Sequence, residues 1–533
     1  MAAGRLLNRR RFLASTGALG SALAWAPGAA QPASRKGPAP RARLGINLAG
    51  PSDFATELPF VDVARLSREW ISQRNNQGWG QGPPLALDAN GWVRRLEPGC
   101  SADMLLLTEL GRHVPAGLYN IRYTGKGKLS FFDAGAKPTS IAPGHIALRV
   151  DGPDGFRIRL EETDPDDPLR DLRVIRPGFE HRYESDPWDP AFLKRWSGVS
   201  VIRFTSFQNA GQSTLRRWSE RPRMQQATFS TKGVAIELAV DLANRLRADP
   251  WFSIPHAADD DVVRQFAALV RERLDPARSV WLEYSNETWN SGAPAHRYTA
   301  DRGMKLGLAE QPWEAAVAFT ALRSMKIFQI WEGVFGGAKR LVRVLPSQAA
   351  NAGVSEQITG FRGAGKRADA LAIAPYLTLV AGPETKPTAR DIARWSLDRL
   401  FDHLGKTTLP EAVGWMRANK TVADRYGLRL VAYEGGQHLV GIQGGENDEA
   451  LTRLFVAANA DPRMGELYAR YLDAWTKAGG DLFCHFDSVS RWGKWGSWGL
   501  LQFHDDRVQT SPKFLATLDW ARARGQQMTA SSG

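Results

Sequence analysis

Val280-Trp281-Leu282-Glu283-Tyr284-Ser285-Asn286-Glu287-Thr288-Trp289-Asn290 begins as a buried strand over 280–285 and breaks into a polar loop. A short apolar run without alternation marks a strand covered on both faces, as in a parallel sheet. Within it Glu283 and Glu287 share alternation parity, so both face the same side, Glu283 deeper.

Runs of the same kind recur on either side: Leu44–Leu48, Val199–Phe204, Trp251–Pro255, Arg340–Leu345, Ala370–Ala374, Leu428–Tyr433 and Asp481–Phe486. Helical periodicity separates many of them, as over Asp259–Leu274, Thr320–Trp331, Ala389–Leu404 and Met464–Ala478. Repeated strand–helix units imply a parallel sheet, and eight strands are the number that closes a (β/α)8 TIM barrel. A doubly wound open sheet is disfavoured, because no Gly-rich phosphate loop follows any of these strands. Pro59–Ser72 reads as a helix. From about 92 to 185 the texture changes to short alternating segments between Gly, Pro and Asp clusters, the pattern of a β-sandwich-like domain inserted between barrel strands one and two. The expected organisation is a leader over 1–30, a linker over 31–43, barrel over 44–91, inserted β-rich domain over 92–185, and barrel again over 186–525.

At 533 residues and 43% hydrophobic content the chain buries a large core. Cys100 and Cys484 are its only cysteines, which excludes a disulfide framework or Cys-based metal site and leaves one bridge open. The nine histidines show no metal-type spacing, and no phosphate loop or Gly-x-Ser-x-Gly elbow is present; no cofactor and no metal are expected. Of the formal +13, eight charges lie in residues 1–43, which hold no acid, leaving +5 for the rest. That excess is ordinary for a solvated surface and argues against nucleic acid as a partner. Asn8-Arg9-Arg10-Arg11-Phe12-Leu13, a weakly apolar stretch and small residues at 28–30 resemble a twin-arginine export signal, which implies a periplasmic or secreted protein. No segment offers the long apolar run of a stable membrane span.

Catalytic groups of such barrels lie where strands give way to loops, at the C-terminal face. Strand four ends on Asn286-Glu287, and strand seven, Leu430-Val431-Ala432-Tyr433-Glu434, ends on a second glutamate. Two carboxyls converging from opposite sides suit glycosidic cleavage, in which one donates a proton and the other acts ionised. The pattern resembles glycoside hydrolase clan A, retaining (β/α)8-barrel glycosidases, over roughly 44–90 and 186–525. The resemblance implies Glu287 as acid/base, Glu434 as nucleophile and a carboxyl separation of about 5 Å. It further implies that Asn286 binds a sugar 2-hydroxyl, Glu283 supports from below, Arg203 steadies the nucleophile, His256 lines a subsite and Tyr376 bonds Glu434.

After strand eight, Ser490-Arg491-Trp492-Gly493-Lys494-Trp495-Gly496-Ser497-Trp498-Gly499 offers indole faces for sugar rings. Trp492 is the first choice for the platform, with Trp495 and Trp289 as further cleft residues. The implied partner is a polysaccharide or oligosaccharide; oligomeric state is not legible. The competing reading is a non-catalytic, cellulose-like carbohydrate-binding protein on a barrel scaffold, with the β-rich insertion as its binding module.

Overall fold

A computed structural model describes residues 42–529. The expected leader, and all of the expected linker except residues 42 and 43, lie outside the described residues. Eight strands form one closed parallel barrel: β1 Arg43–Asn47, β2 Val201–Arg203, β3 Asp249–Ile254, β4 Val280–Tyr284, β5 Leu341–Pro346, β6 Ala370–Ile373, β7 Arg429–Ala432 and β8 Gly480–His485. Closure runs through β8 and β1, with Gly45 opposite Cys484. A side chain does not fit at residue 45, because a Cβ there would stand 2.5 Å from the Cys484 sulfur.

Alternate strand residues face two different cores, which is why the strands read as unbroken apolar runs. Ile46, Ile202, Phe252, Leu282, Leu371, Leu430 and Phe483 point outward under the helices. Val201, Trp251, Trp281, Val344, Ala372, Val431 and Leu482 fill the lumen. Trp251 and Trp281 stack there at 5.2 Å, a plug that seals the lower barrel. The helix over Asp260–Arg273 is capped by Asp259, whose side chain accepts from the Val262 amide. The stretch expected as one helix over 389–404 is two, Ala389–Ile392 and Leu397–His403, the second restarted by a Ser396 cap. No helix among the described residues is long and apolar enough to cross a membrane.

Between β1 and β2 lie two four-stranded antiparallel sheets. One orders Ile71–Arg74, Cys100–Leu106, Phe156–Thr163 and Gly127–Phe132; the other orders Arg170–Ile175, Gly117–Thr124, His145–Val150 and Lys137–Ala142. Met104, Ile158, Tyr119, Leu148 and Leu172 are buried among their strands. The helix expected over 59–72 does not form. Phe60 bridges Trp188, Val63–Leu66 makes a single 3-10 turn, and Ile71–Arg74 pairs with Cys100–Leu106. Its apolar residues are buried by distant partners, and those contacts outweigh local helical preference. Sheet pairing therefore starts about twenty residues before 92. Both cysteines are free and buried, one in this sheet and one in the barrel lumen.

Glu57, on the segment leaving β1, is fully buried where that segment meets the loop after β8. It accepts from Trp196 Nε1 at 2.8 Å and from the Ser488 hydroxyl. Burial pushes its carboxyl up to about 7, against the opposing charge of Arg195. A raised folded pKa means that the folded state holds the proton more tightly. The stability is present below the ordinary value of 4.5 and is lost as pH rises to about 7. The loss amounts to something on the order of 3 kcal/mol. Thermal melts across this range should fall less steeply with pH for Glu57→Gln than for the wild type; parallel curves would refute the assignment.

Candidate active site

Arg203, the last residue of β2, stands in the lumen with no solvent exposure. Its Nε donates to Glu283 at 3.0 Å and its Nη1 to Asn47 at 3.0 Å and to Glu434 at 2.8 Å. Its Nη2 reaches Glu283 at 3.2 Å and Asn286 Oδ1 at 3.0 Å. The planar fork thus binds the ends of β1, β4 and β7 together. Burial opposes its charge, but Glu283 and Glu434 outweigh that and hold the guanidinium more firmly protonated than usual.

Glu283 is wholly buried, as its parity implied, and also accepts from Trp251 Nε1 at 2.9 Å and Ser253 Oγ at 3.3 Å. Burial raises its pKa, with Arg203 opposing. Glu434 follows β7 and receives a second bond, from Tyr376 Oη at 3.0 Å. Burial and the nearby charges of Glu434 and Glu287 keep the Tyr376 phenol protonated, so it remains a donor.

Glu287 lies beyond β4, nearly buried, with a left-handed backbone at φ 48°, as Ser285 has at 61°. Two such non-glycine residues flanking Asn286 mark strain held by surrounding contacts. Asn290 supplies part of that hold: its amide N–H bonds the Glu287 carbonyl at 2.9 Å, and its Nδ2 bonds Glu287 Oε2 at 3.1 Å. Tyr433 Oη approaches Glu287 Oε1 at 3.5 Å, while the Tyr433 ring lies 4.8 Å from the Arg203 guanidinium. The structure therefore brings Glu283, Asn286, Glu287, Arg203, Tyr376 and Glu434 to one end of the lumen.

The tryptophans divide differently from expectation. Trp492 is buried, its Nε1 donates to the Gly499 carbonyl at 2.9 Å, and the Lys513 ammonium sits 4.5 Å from its ring. Lys513 is itself buried and bonds Asn459 at 2.9 Å. Trp492 thus pins the loop and is not the platform. Trp495 is exposed, and its carbonyl accepts from Trp498 Nε1 at 2.8 Å. Trp498 is the indole nearest Tyr376, the phenol that bonds Glu434: its ring lies 6.0 Å from Tyr376 and 4.8 Å from His438. Trp289 is half-buried and packs against the core. His256 follows β3, packs 5.2 Å from Tyr298 and is lowered in pKa by burial and by Arg216.

Asn47, Asn290, Tyr433 and Trp498 escaped the reading of single strand ends. Tyr433 is adjacent to Glu434, and Trp498 belongs to the tryptophan–glycine loop, so both signals were present. Histidine spacing likewise hid one group, His113 with Asp505 and Asp506, whose potential ligand atoms lie within 4.8 Å of one another. His113 Nδ1 stands 2.7 Å from Asp505, a contact that ties the inserted domain to the loop after β8.

No protein-family model matches the chain, and neither does any curated protein. Among solved structures it is similar to a broad-specificity GH5-4 endoglucanase from Clostridium acetobutylicum, at 13% identity and a TM-score of 0.33, covering 65% of this chain and 93% of that one. It is similar to the endo-β-1,4-mannanase from Thermotoga petrophila at 12% identity and TM-score 0.34, covering 63% and 72%. A 4-O-α-L-rhamnosyl-β-D-glucuronidase from Fusarium oxysporum 12S matches at 13% and 0.37, covering 65% and 67%. At these values the likenesses do not bear on activity, which rests on the site.

Replacing Arg203 with alanine would leave two buried carboxylates without their cation. Urea denaturation should show a loss of about 3–5 kcal/mol, the cost of breaking a buried pair. A loss below about 1 kcal/mol would show that the guanidinium does not organise the lumen.

Proposed function

We propose that this chain is a retaining glycoside hydrolase acting on a polysaccharide or oligosaccharide, with Glu434 as nucleophile and Glu287 as acid/base. The observation that carries the reading is the pair itself, two nearly buried glutamates from β4 and β7 meeting at one mouth in different surroundings. Arg203 and Tyr376 both donate to Glu434 and so fix the orientation of its carboxyl group. Glu287 is held by an amide and a phenol, in a nearly buried position suited to a carboxyl that must carry a proton.

In the first step Glu434 attacks the anomeric carbon as Glu287 protonates the departing oxygen, breaking the glycosidic bond and leaving a glycosyl ester on Glu434. In the second, ionised Glu287 takes a proton from water, whose oxygen attacks the anomeric carbon and frees Glu434. Asn286, its Oδ1 fixed by Arg203, keeps its amide N–H groups for a sugar hydroxyl. Trp498 is the proposed platform for the cleaved sugar.

Glu434→Gln should cut turnover at least ~10³-fold without altering the fold, measured as reducing-sugar release beside circular dichroism. Proton NMR of the fresh product should show the substrate's anomeric configuration. Residual activity near wild type, or inversion, would defeat the mechanism. Export is also proposed, supported by the twin-arginine resemblance at Arg9-Arg10. Replacing both with lysine should leave the protein in the cytoplasm on cell fractionation; unchanged export would refute that signal.

A further inference from the structure

The loop from β2 to the helix Ile236–Leu246 carries Arg216, Arg217, Arg221, Arg223 and Lys232 against a single acid, Glu220. That is a formal +4, nearly all of the +5 that the chain holds beyond residue 43.

The loop approaches the site at Gly211, beside Asn286. A Cβ on Gly211 would stand 3.9 Å from Asn286 Nδ2. Five residues on, the Arg216 carbonyl accepts from the Asp259 amide at 3.1 Å, beyond the end of β3. The charge of Arg216 reaches His256 there, second to burial in lowering its pKa.

Within this loop the cations have different employment. Arg221 lies 4.3 Å from the Trp218 ring and 3.5 Å from Glu237, and Arg223 bonds the Ser219 carbonyl at 3.1 Å. Glu220 turns one carboxylate oxygen to the backbone amides of Arg216 and Arg217, at 2.9 and 3.1 Å. Both arginine side chains are exposed, and among the described residues neither forms an ion pair. Glu220 is the acid whose charge reaches both, so two exposed guanidinium groups stand against one carboxylate, an excess that a bound anion would offset. Their planar donor forks match carboxylate and sulfate oxygens.

We infer that Arg216 and Arg217 form a subsite for an anionic sugar unit, so that the substrate is an acidic saccharide bearing uronate or sulfate groups. The inference rests on the glycosidase reading for its substrate but is separable from it by experiment. Binding to the full-length Glu434→Gln protein is measured by calorimetry with gluco- and manno-oligosaccharides in three forms: neutral, oxidised to the carboxylate at C6, and sulfated at C6. An anionic form should bind about tenfold more tightly than its neutral counterpart, the scale of one charge-assisted hydrogen bond. The preference should shrink at high salt and disappear in the R216E/R217E double variant. Gain with the oxidised sugars alone identifies uronate, and gain with the sulfated ones alone identifies sulfate ester. Equal or tighter binding of the neutral forms, no binding of either anionic form, or a preference that survives the double variant overturns the subsite. Loss of hydrolysis in Glu434→Gln is read separately on the wild type's substrates, so either proposal can fail alone.

Discussion

One buried guanidinium sets the terms for the upper barrel. Among the described residues, Arg203 is the only side chain that touches Asn47 on β1, Glu283 and Asn286 on β4 and its loop, and Glu434 after β7. Burying an ion pair brings little net stability, because desolvation consumes most of the attraction. What it fixes is geometry: the fork accepts these partners in one plane, and each bond lost leaves a buried charge or lone pair unsatisfied. Two carboxylates share one cation, so the set carries one surplus negative charge when both are ionised. The penalty falls on Glu283, whose pKa burial raises and the charge of Glu434 raises further.

The lower barrel supports this arrangement by being filled with side chains. Trp251 and Trp281 close the lumen beneath the arginine, and Trp251 Nε1 donates upward to Glu283. Above them Asn47 bonds the carbonyls of Tyr433 and His485, so β1, β7 and β8 are tied at the level where chemistry would occur. Beyond β6 and β7 the chain adds a small parallel sheet, Leu377–Ala381 with Gln437–Gly441. It carries His438 next to Tyr376 and Trp498 and so raises one wall of the mouth.

The eight strands were legible because each is buried on both faces, leaving no polar alternation to confuse with a loop. Glu283, Glu287 and Glu434 stood out for the same reason, as acids in or beside apolar runs. What failed depended on distant partners. Ile71–Arg74 is a strand because Cys100–Leu106 lies beside it, a pairing that local periodicity does not encode. Three tryptophans in ten residues announced an aromatic loop, but Lys513, on a helix further along, decides which indole is an anchor.

Charge is then layered from the floor of the site to its rim. The lumen holds Glu283, Glu434 and Glu287 around one arginine, and the β2 loop above it is strongly basic. A cationic substrate would gain at depth and lose at entry, whereas a neutral one would make no use of the rim. An anionic sugar is drawn in by the loop but repelled by the glutamates if its charge sits on the ring being cleaved. On the proposed reading, the rim would favour a substrate whose anion lies on a neighbouring unit, held over β2 and β3, with an uncharged ring between Glu287 and Glu434. Such an arrangement would select for position along an acidic chain as well as for charge, because sliding by one unit would exchange attraction for repulsion.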